Sequence, residues 1–425
     1  MKLLKNFLCN SKNPERDGAI WNMIASMLVA FQSVILLVVM GRTTDQVTAG
    51  IYTMGNALNN MFLAIGKYGM RFYQVSDVNK EYKFRDYRMS RIITTVVMAL
   101  VSTGYVLLVA NRNGYSQTKT AIIIWLCLFK LADSFEDVYY GDYQKNERLD
   151  VASKAFALRL IVMIIVFALL LIITKDLLIA TVASTISTLL FMWVLLALTK
   201  EYNCENEPFD MKRVWKLLLV TLPLCIGGFL TLYIGVAPRN AIDRLLDDQT
   251  SAIYGYVAMP VFVVQLLVMF IFNPMMYNIS CLWNDGKIND YLKQCFKQIG
   301  FVLAVSVVCL VGAWLLGIPV LSVFYNTDLK PYKTDLMILM VGSGFLGLAG
   351  LMANLLTIMR YQNAILGGYA ITSLFAFLFS NRFVEKYGMR GAAIIYMIIL
   401  VILCTIFVAE FIYGIIRAKK SNSCN

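Results

Sequence analysis

The sequence lacks histidine altogether, and only 15% of its 425 residues are charged. Without histidine, the chain cannot build histidine metal sites, Ser-His catalytic triads or histidine proton relays. Soluble proteins carry about 25% charged residues, so this chain has too few to form a surface that faces water on all sides. A soluble enzyme, a nucleic-acid-binding protein and a secreted domain are therefore excluded, even though the net charge is +12.

Long apolar runs take the place of the missing charge. Hydrophobic residues make up 59% of the chain, and most of them fall in blocks of about 18 to 25 residues, the length that crosses a bilayer. The predicted fold is an all-α polytopic membrane protein with about twelve transmembrane helices in two six-helix lobes around a central cleft. The predicted spans are residues 18–41, 47–70, 90–110, 119–139, 151–173, 177–199, 212–237, 251–276, 293–316, 333–357, 362–381 and 389–416.

The two predicted lobes begin alike, with Trp21 near the start of the first and Trp215 near the start of the second. Transporter folds are commonly built from such internal repeats. The predicted organisation is an amphipathic N-terminal segment along the inner leaflet (1–17), an N-lobe (18–200), a C-lobe (201–417) and a cytosolic tail (418–425).

Lysine and arginine counts in the short loops predict the orientation. With the N-terminus inside, the cytosolic segments hold 24 of the 38 basic residues and the outer loops hold 11. One predicted outer loop is an exception to this distribution, because it carries three basic residues, Arg382, Lys386 and Arg390. The sum predicts that both termini are cytoplasmic.

The connections between spans are short and basic. None exceeds about twenty residues, and the chain has no GxxxxGK[ST] phosphate-binding loop and no Asp-x-Asp pair in an outer loop. Energy from bound ATP is therefore not available to this chain alone. We predict a protein that is not an enzyme and needs no cofactor or metal, which leaves a transporter, a channel or a scaffold.

Charged side chains inside predicted spans are expensive and are candidates for function. The fourth span carries Lys130, Asp133, Glu136 and Asp137. At helical spacing Lys130, Asp133 and Asp137 share one face. They either line a cavity, as a coupling or cavity charge, or neutralise one another to hold the bundle together, and the sequence leaves both interpretations open.

The second span carries Asn56 and Asn60, followed by Lys67 and Arg71 at its inner end. These four residues lie near one helical face, where they would bind substrate. Lys67 and Arg71 could instead reach out to lipid phosphates. Arg159 lies about 12 Å inside the fifth span, which is deep for such a role and favours a substrate-binding cavity.

Further candidates lie in the second half. Arg239 and Arg244 are predicted near the outer mouth as substrate-binding residues, after a seventh helix that Pro223 should bend or break. Glu410, late in the last span, could carry a coupling proton or could pair with a basic neighbour such as Arg417.

Three stretches resemble the polysaccharide-transport branch of the multidrug/oligosaccharidyl-lipid/polysaccharide exporter superfamily. They are NMIASMLVAFQSVILLVVMGRTTDQVTAGIYTMGNAL at 22–58, GKYGMRFYQVSD at 66–77 and AIDRLLDDQTSAIYGYVAMP at 241–260. The resemblance implies a flippase for undecaprenyl-diphosphate-linked oligosaccharides in the inner (plasma) membrane of a bacterium, which works by alternating access with possible H⁺ or Na⁺ coupling. The expected partners are this cargo and membrane lipids, with no nucleic acid, and the oligomeric state stays open.

The basic residues suit such a cargo, because arginine forks match phosphate oxygens. Replacement of Arg71 or Arg244 by Ala should abolish export of surface polymer without loss of the protein. Two alternatives remain at this point. One is a cation-coupled multidrug exporter of the same superfamily, and the other is a membrane assembly subunit that transports nothing.

Overall fold

The computed structural model describes residues 1–77, 81–202, 210–272 and 276–423. These residues are almost entirely helical and contain no β-strand, which confirms the predicted all-α class. Within the described ranges, nine helical segments are long and apolar enough to cross a membrane. The second and fourth predicted spans are also helical, so the structure is consistent with about twelve crossings.

Packing divides the chain into two compact units, Met1–Leu232 and Tyr233–Asn425. The division falls within the helix Met211–Leu245, which corresponds to the seventh predicted span. The sequence analysis placed the division near residue 200 instead. The neighbouring residues 203–209 lie outside the described ranges. The helices that begin in the first unit are α1 (Lys2–Cys9), α2 (Pro14–Thr43), α3 (Gln46–Lys67), α4 (Met70–Ser76), α5 (Phe84–Asn113), α6 (Gln117–Leu128), α7 (Leu131–Lys145), α8 (Leu149–Thr174), α9 (Leu177–Leu198) and α10 (Met211–Leu245).

The second unit continues with further long helices. Residues Ala313–Gly317 form a π-helical turn that joins two of them into one segment, Ile288–Tyr325. The remaining helices are α11 (Asp248–Ala258), α12 (Val261–Phe272), α13 (Met276–Asn284), α14 (Ile288–Gly312), α15 (Ile318–Tyr325), α16 (Lys333–Ile358) and α17 (Gln362–Ser423).

Polar residues fix where several helices begin. Asn13 accepts a hydrogen bond from the Arg16 backbone N–H ahead of α2, and Pro14 occupies the first turn. Asp45, Asp176 and Asp247 cap α3, α9 and α11 in the same way. These caps lie within a few residues of the predicted span edges, because the cap signal and the apolar run are both local in sequence.

Three predicted span features differ in the structure. The fourth span is two helices, α6 and α7, because the chain leaves the helix at Phe129 and Lys130. The seventh helix is not broken, since α10 runs continuously through Pro223, and a bend at Pro223 stays a prediction. The predicted outer loop at 382–388 is helical and lies inside α17, and within α17 the backbone leaves the helical conformation at Gly388.

The N-terminal helix α1 is attached to the first unit by its C-terminal end. Leu8 is fully buried, and the last carbonyl groups of the segment accept hydrogen bonds from basic side chains: Lys154 Nζ donates to Phe7 O (3.2 Å) and Arg148 Nη2 to Cys9 O (2.8 Å). Leu3 is exposed. The placement of α1 along the inner leaflet remains a prediction, and the structure adds that α1 packs against α8.

Candidate functional site

A cluster of balanced charge lies inside the first unit. Asp133 pairs with Lys130 (Oδ2 to Nζ, 2.8 Å) and with Arg159. Arg159 also holds Glu136 (Nη2 to Oε1, 2.7 Å), and all four side chains are buried. Two cations therefore face two carboxylates. We call Lys130, Asp133, Glu136 and Arg159 the balanced cluster.

Neighbouring polar groups complete the balanced cluster. Gln32 on α2 accepts a hydrogen bond from Lys130 Nζ (3.3 Å), and the Tyr140 hydroxyl donates to Glu136 Oε2 (3.0 Å). A buried ion pair is tolerated when its charges and remaining lone pairs are satisfied. This geometry favours the interpretation that Lys130, Asp133 and Arg159 hold the bundle together.

A second cluster contains two arginines and one carboxylate. Asp137 accepts from Arg91 (Oδ2 to Nη2, 2.8 Å) and lies farther from Arg71 (Oδ1 to Nη1, 3.6 Å). Arg71 also donates to the neutral Gln144 side chain (3.0 Å), and Arg91 donates to the Gly66 carbonyl (2.7 Å). We call Arg71, Arg91 and Asp137 the arginine cluster, and its positive charge exceeds its negative charge.

Lys67 adds to this excess. It lies half-buried at the end of α3, close enough to Asp133 to interact electrostatically. The two clusters and Lys67 together hold five cations and three carboxylates, which leaves an excess of two positive charges. Uncompensated cations in a region of low dielectric constant attract anions strongly.

A pocket of about 250 Å³ with a mixed polar and apolar lining opens beside this positive charge. Helices α2, α4, α7 and α8 contribute its walls. Arg71, whose side chain is 30% exposed, is the charged residue among those that line it. The lining residues are Asn22, Ala25, Ser26, Val29, Arg71, Tyr140, Ala152, Ser153 and Phe156.

Close packing of α4 on α7 positions Arg71 at the pocket. Gln74 of α4 donates to the Val138 carbonyl (3.1 Å), and Gly141 lacks the Cβ atom that would collide with the Gln74 side chain. The turn before α4 uses two residues with positive φ, Tyr68 (53°) and Gly69 (65°). This turn redirects the chain so that Arg71 projects from a short helix rather than from the end of α3.

Asn56 and Asn60, the other predicted site residues of the first unit, are both hydrogen-bonded through their side-chain amides. Asn56 of α3 donates to Ser33 Oγ of α2 (3.1 Å), and Asn60 donates to the Asn56 carbonyl within α3 (2.8 Å). The remaining candidates belong to the second unit. Arg239 lies over the Tyr254 ring (5.8 Å), Arg244 is exposed and Glu410 is half-buried.

One residue of the site was not singled out in the sequence, and another was named there without a place on the charged face. Arg91 was counted only as a basic residue of the inner loop, although it is fully buried. Glu136 was noted but not placed on the charged face. A signal for Arg91 does exist, since it immediately precedes the apolar run of the third span. Within the described ranges, no group of three or more acidic or cysteine side chains is placed to hold a metal.

Comparison with solved structures shows which proteins share this fold. The chain shares its fold with the lipid II flippase MurJ in an inward closed conformation (TM-score 0.67, 14% identity, 93% of this chain and 90% of that chain). It is also similar to the Vibrio cholerae MATE transporter VcmN (TM-score 0.63, 13% identity, 96% and 97% covered). At these identities the two comparisons show the fold alone, which is that of a polytopic membrane protein built from long helices.

Sequence comparison then gives the family. The profile described as polysaccharide biosynthesis protein matches residues 16–280, more than half of the chain. The chain belongs to this family, as the resemblance in the sequence predicted. Its relatives include the capsular polysaccharide biosynthesis protein CapF of Staphylococcus aureus, which is 23% identical over 378 residues, 87% of this chain and 92% of CapF.

Proposed function

We propose that this transporter is a flippase that moves undecaprenyl-diphosphate-linked oligosaccharide units from the inner to the outer leaflet for surface polysaccharide synthesis. Its family is that of polysaccharide biosynthesis proteins, and its fold is shared with a protein named as a lipid II flippase. In this proposal the protein lies in the bacterial plasma membrane with both termini in the cytoplasm.

The excess of positive charge beside the Arg71 pocket carries the proposal. A diphosphate diester bears one negative charge on each phosphate, which matches the excess of two positive charges around Arg71, Lys67 and Arg91. Arg71 retains N–H donors that its contacts with Gln144 and Asp137 do not use. A guanidinium group in this state binds phosphate oxygens well.

The pocket also limits how much of the cargo it holds. Its volume of about 250 Å³ lies just below the range of about 300 to 1,000 Å³ for small-molecule sites. It therefore accommodates the diphosphate and the adjoining sugar rather than a whole oligosaccharide. Arg71 would bind the diphosphate, while Asn22, Ser26 and Ser153 would hydrogen-bond to sugar hydroxyls.

The other predicted site residues have separate parts in this proposal. Asn56 and Asn60 would contact sugar farther along α3, and Arg239 and Arg244 of the second unit would bind the diphosphate at a later stage of transport. A hydrophobic organic cation is the cargo of the multidrug alternative. Such a cargo would be repelled by the excess positive charge at the Arg71 pocket.

The test replaces Arg71 in a strain that lacks the chromosomal copy. Arg71→Ala should reduce surface polymer at least tenfold, because a charge-assisted hydrogen bond contributes about 1.5 to 3 kcal/mol. The complete lipid-linked unit should accumulate with its sugar on the inner face of the membrane. Arg71→Lys should retain part of the export, since it keeps the charge and loses the fork.

Arg112→Ala is the matched control, because Arg112 is an exposed arginine of the same unit that does not line the pocket. It should export normally. The amount of each variant in the membrane is measured alongside. Normal polymer in Arg71→Ala, or unchanged lipid intermediates together with new sensitivity to cationic dyes, would overturn the proposal.

A further inference from the structure

We propose that Arg91 is a positioning residue, which keeps Arg71 available for the anionic cargo by holding Asp137. This inference rests on the proposed function, because it assigns Arg71 to the diphosphate. It concerns a residue that does not line the pocket and that is completely buried. Arg91 therefore acts on the cargo only through its neighbours.

The three distances in the arginine cluster are unequal. Asp137 lies 2.8 Å from Arg91 but 3.6 Å from Arg71, which is within range of attraction but beyond a normal hydrogen bond. Arg71 makes its shorter contact, 3.0 Å, with the uncharged Gln144. The Asp137 carboxylate thus pairs with the buried Arg91, and Arg71 at the pocket is only loosely paired with it.

This arrangement follows from charge competition. A carboxylate beside a lone arginine forms the short, two-point ion pair that the guanidinium fork prefers. Such a pair would occupy the donors that a phosphate needs and would cancel the charge that attracts it. Because Arg91 satisfies Asp137 in a region of low dielectric constant, the carboxylate does not take up the Arg71 fork.

Arg91 has a second contact that must be separated from the first. It donates to the Gly66 carbonyl (2.7 Å) near the end of α3, and Thr94 Oγ1 donates to the same carbonyl (2.9 Å). The support of this backbone position is therefore shared by two side chains. The short contact that compensates the charge of Asp137, by contrast, is made by Arg91. Thr94→Val therefore serves as a control, because it weakens the backbone support and leaves the charges unchanged.

The experiment uses the full-length protein in lipid nanodiscs and undecaprenyl diphosphate as the probe. Arg91→Gln should weaken binding of the probe about tenfold, because Asp137 then pairs with Arg71. The double variant R91Q/D137N removes the competing carboxylate as well and should return the Kd to within about threefold of the wild type. Thr94→Val should bind like the wild type.

A second readout does not depend on the cargo. Phenylglyoxal modifies accessible arginines, and mass spectrometry of the peptide that contains Arg71 follows its rate. The Arg71 rate should fall in Arg91→Gln and recover in R91Q/D137N. Because D137N also removes an unpaired buried carboxylate and can restore stability, the Arg71 rates are compared between variants with the same folded fraction.

The outcomes separate the two proposals. If the wild type fails to bind undecaprenyl diphosphate, the proposed function is overturned, and the Arg71 reactivity still decides whether Arg91 controls the pairing of Asp137. If the wild type binds but the folded Arg91→Gln protein binds equally well, the positioning role is overturned. The positioning role is also overturned if R91Q/D137N binds undecaprenyl diphosphate no better than Arg91→Gln does and reacts with phenylglyoxal at Arg71 no faster.

Discussion

The two units of this protein enclose very different amounts of charge. The first unit buries Arg91, Arg159 and Glu136 almost completely, along with further lysines and aspartates. In the described part of the second unit, Asp243 and Asp335 are the charged residues buried to a similar degree. Buried ions cost free energy to desolvate, so their concentration in one unit indicates where the chain needs polarity.

The second unit brings its helices together by close approach at glycines. A Cβ atom on Gly342 would lie 3.1 Å from the Tyr396 ring, and one on Gly347 would lie 3.2 Å from a Val268 methyl group. Small residues that let helices approach are common in membrane proteins. Close approach at glycines also occurs in the first unit, at Gly55 and Gly66, so the feature that distinguishes the first unit is its balanced buried charge.

The largest predicted effect breaks the charge balance of the first unit. In Arg159→Gln, Lys130 is the one cation of the balanced cluster that still faces its two carboxylates, Asp133 and Glu136. An uncompensated buried charge costs about 3 to 5 kcal/mol, so the folded fraction in detergent and the unfolding temperature should both fall sharply. The double variant R159Q/E136Q restores the balance and should recover at least half of the loss. A single variant as stable as the wild type would contradict the comparison.

The next effect tests the second unit at the turn inside α17. Gly388 has φ 59° and ψ −141°, and three residues later a Cβ atom on Gly391 would collide with the Phe383 backbone carbonyl. Gly391→Ala should therefore destabilise the protein by about 1 to 3 kcal/mol, because the carbonyl cannot rotate away as a side chain could.

Gly350→Ala serves as the control for this glycine, since nothing lies within 4 Å of its Cβ position in α16. It should be neutral or stabilise the helix by up to about 1 kcal/mol. Thermal unfolding followed by fluorescence measures both variants. Equal unfolding temperatures for the two alanine variants would show that the close approach at Gly391 is unimportant.

Much of the fold could be predicted from the sequence because its signals are local. The apolar runs predicted the spans of α8 and α16 to within a few residues, and the charged face of α7 was recognised from its spacing. The break at Phe129 and the continuity of α10 through Pro223 could not be predicted, since neighbouring helices decide whether freed backbone groups are satisfied.

The site was predicted only in part for a related reason. Arg71 and Asp137 were named as candidates, but their shared neighbour Arg91 comes from α5, and its burial depends on how α3, α5 and α7 pack. A count of basic residues treats every arginine near a span edge as a loop residue. The place of Arg91 just before an apolar run is a sequence signal, but tertiary contacts decide that Arg91 is buried while Arg112 is exposed.

The smallest predicted effect concerns a carboxylate of the first unit that lies outside the spans. Asp77 accepts hydrogen bonds from the backbone N–H groups of Glu81 (2.9 Å) and Tyr82 (3.2 Å) and from the Tyr87 hydroxyl (3.1 Å), with Lys145 at 3.7 Å. Burial raises the pKa of Asp77, but the hydrogen bonds and the lysine outweigh it, so the pKa lies below its usual 3.8.

Because the folded state favours the ionised form, Asp77 stabilises the protein above the pKa of the unfolded chain. This contribution is lost as the pH falls through the lower pKa of the folded state. Asp77→Asn should reduce the free energy of unfolding by about 1 kcal/mol at pH 7, and the difference from the wild type should shrink as the pH falls below about 4. Denaturant unfolding of both proteins between pH 7 and pH 3 measures it. A difference that grows towards low pH would mean that Asp77 is protonated in the folded protein, and it would remove this carboxylate from the charges on which the first unit depends.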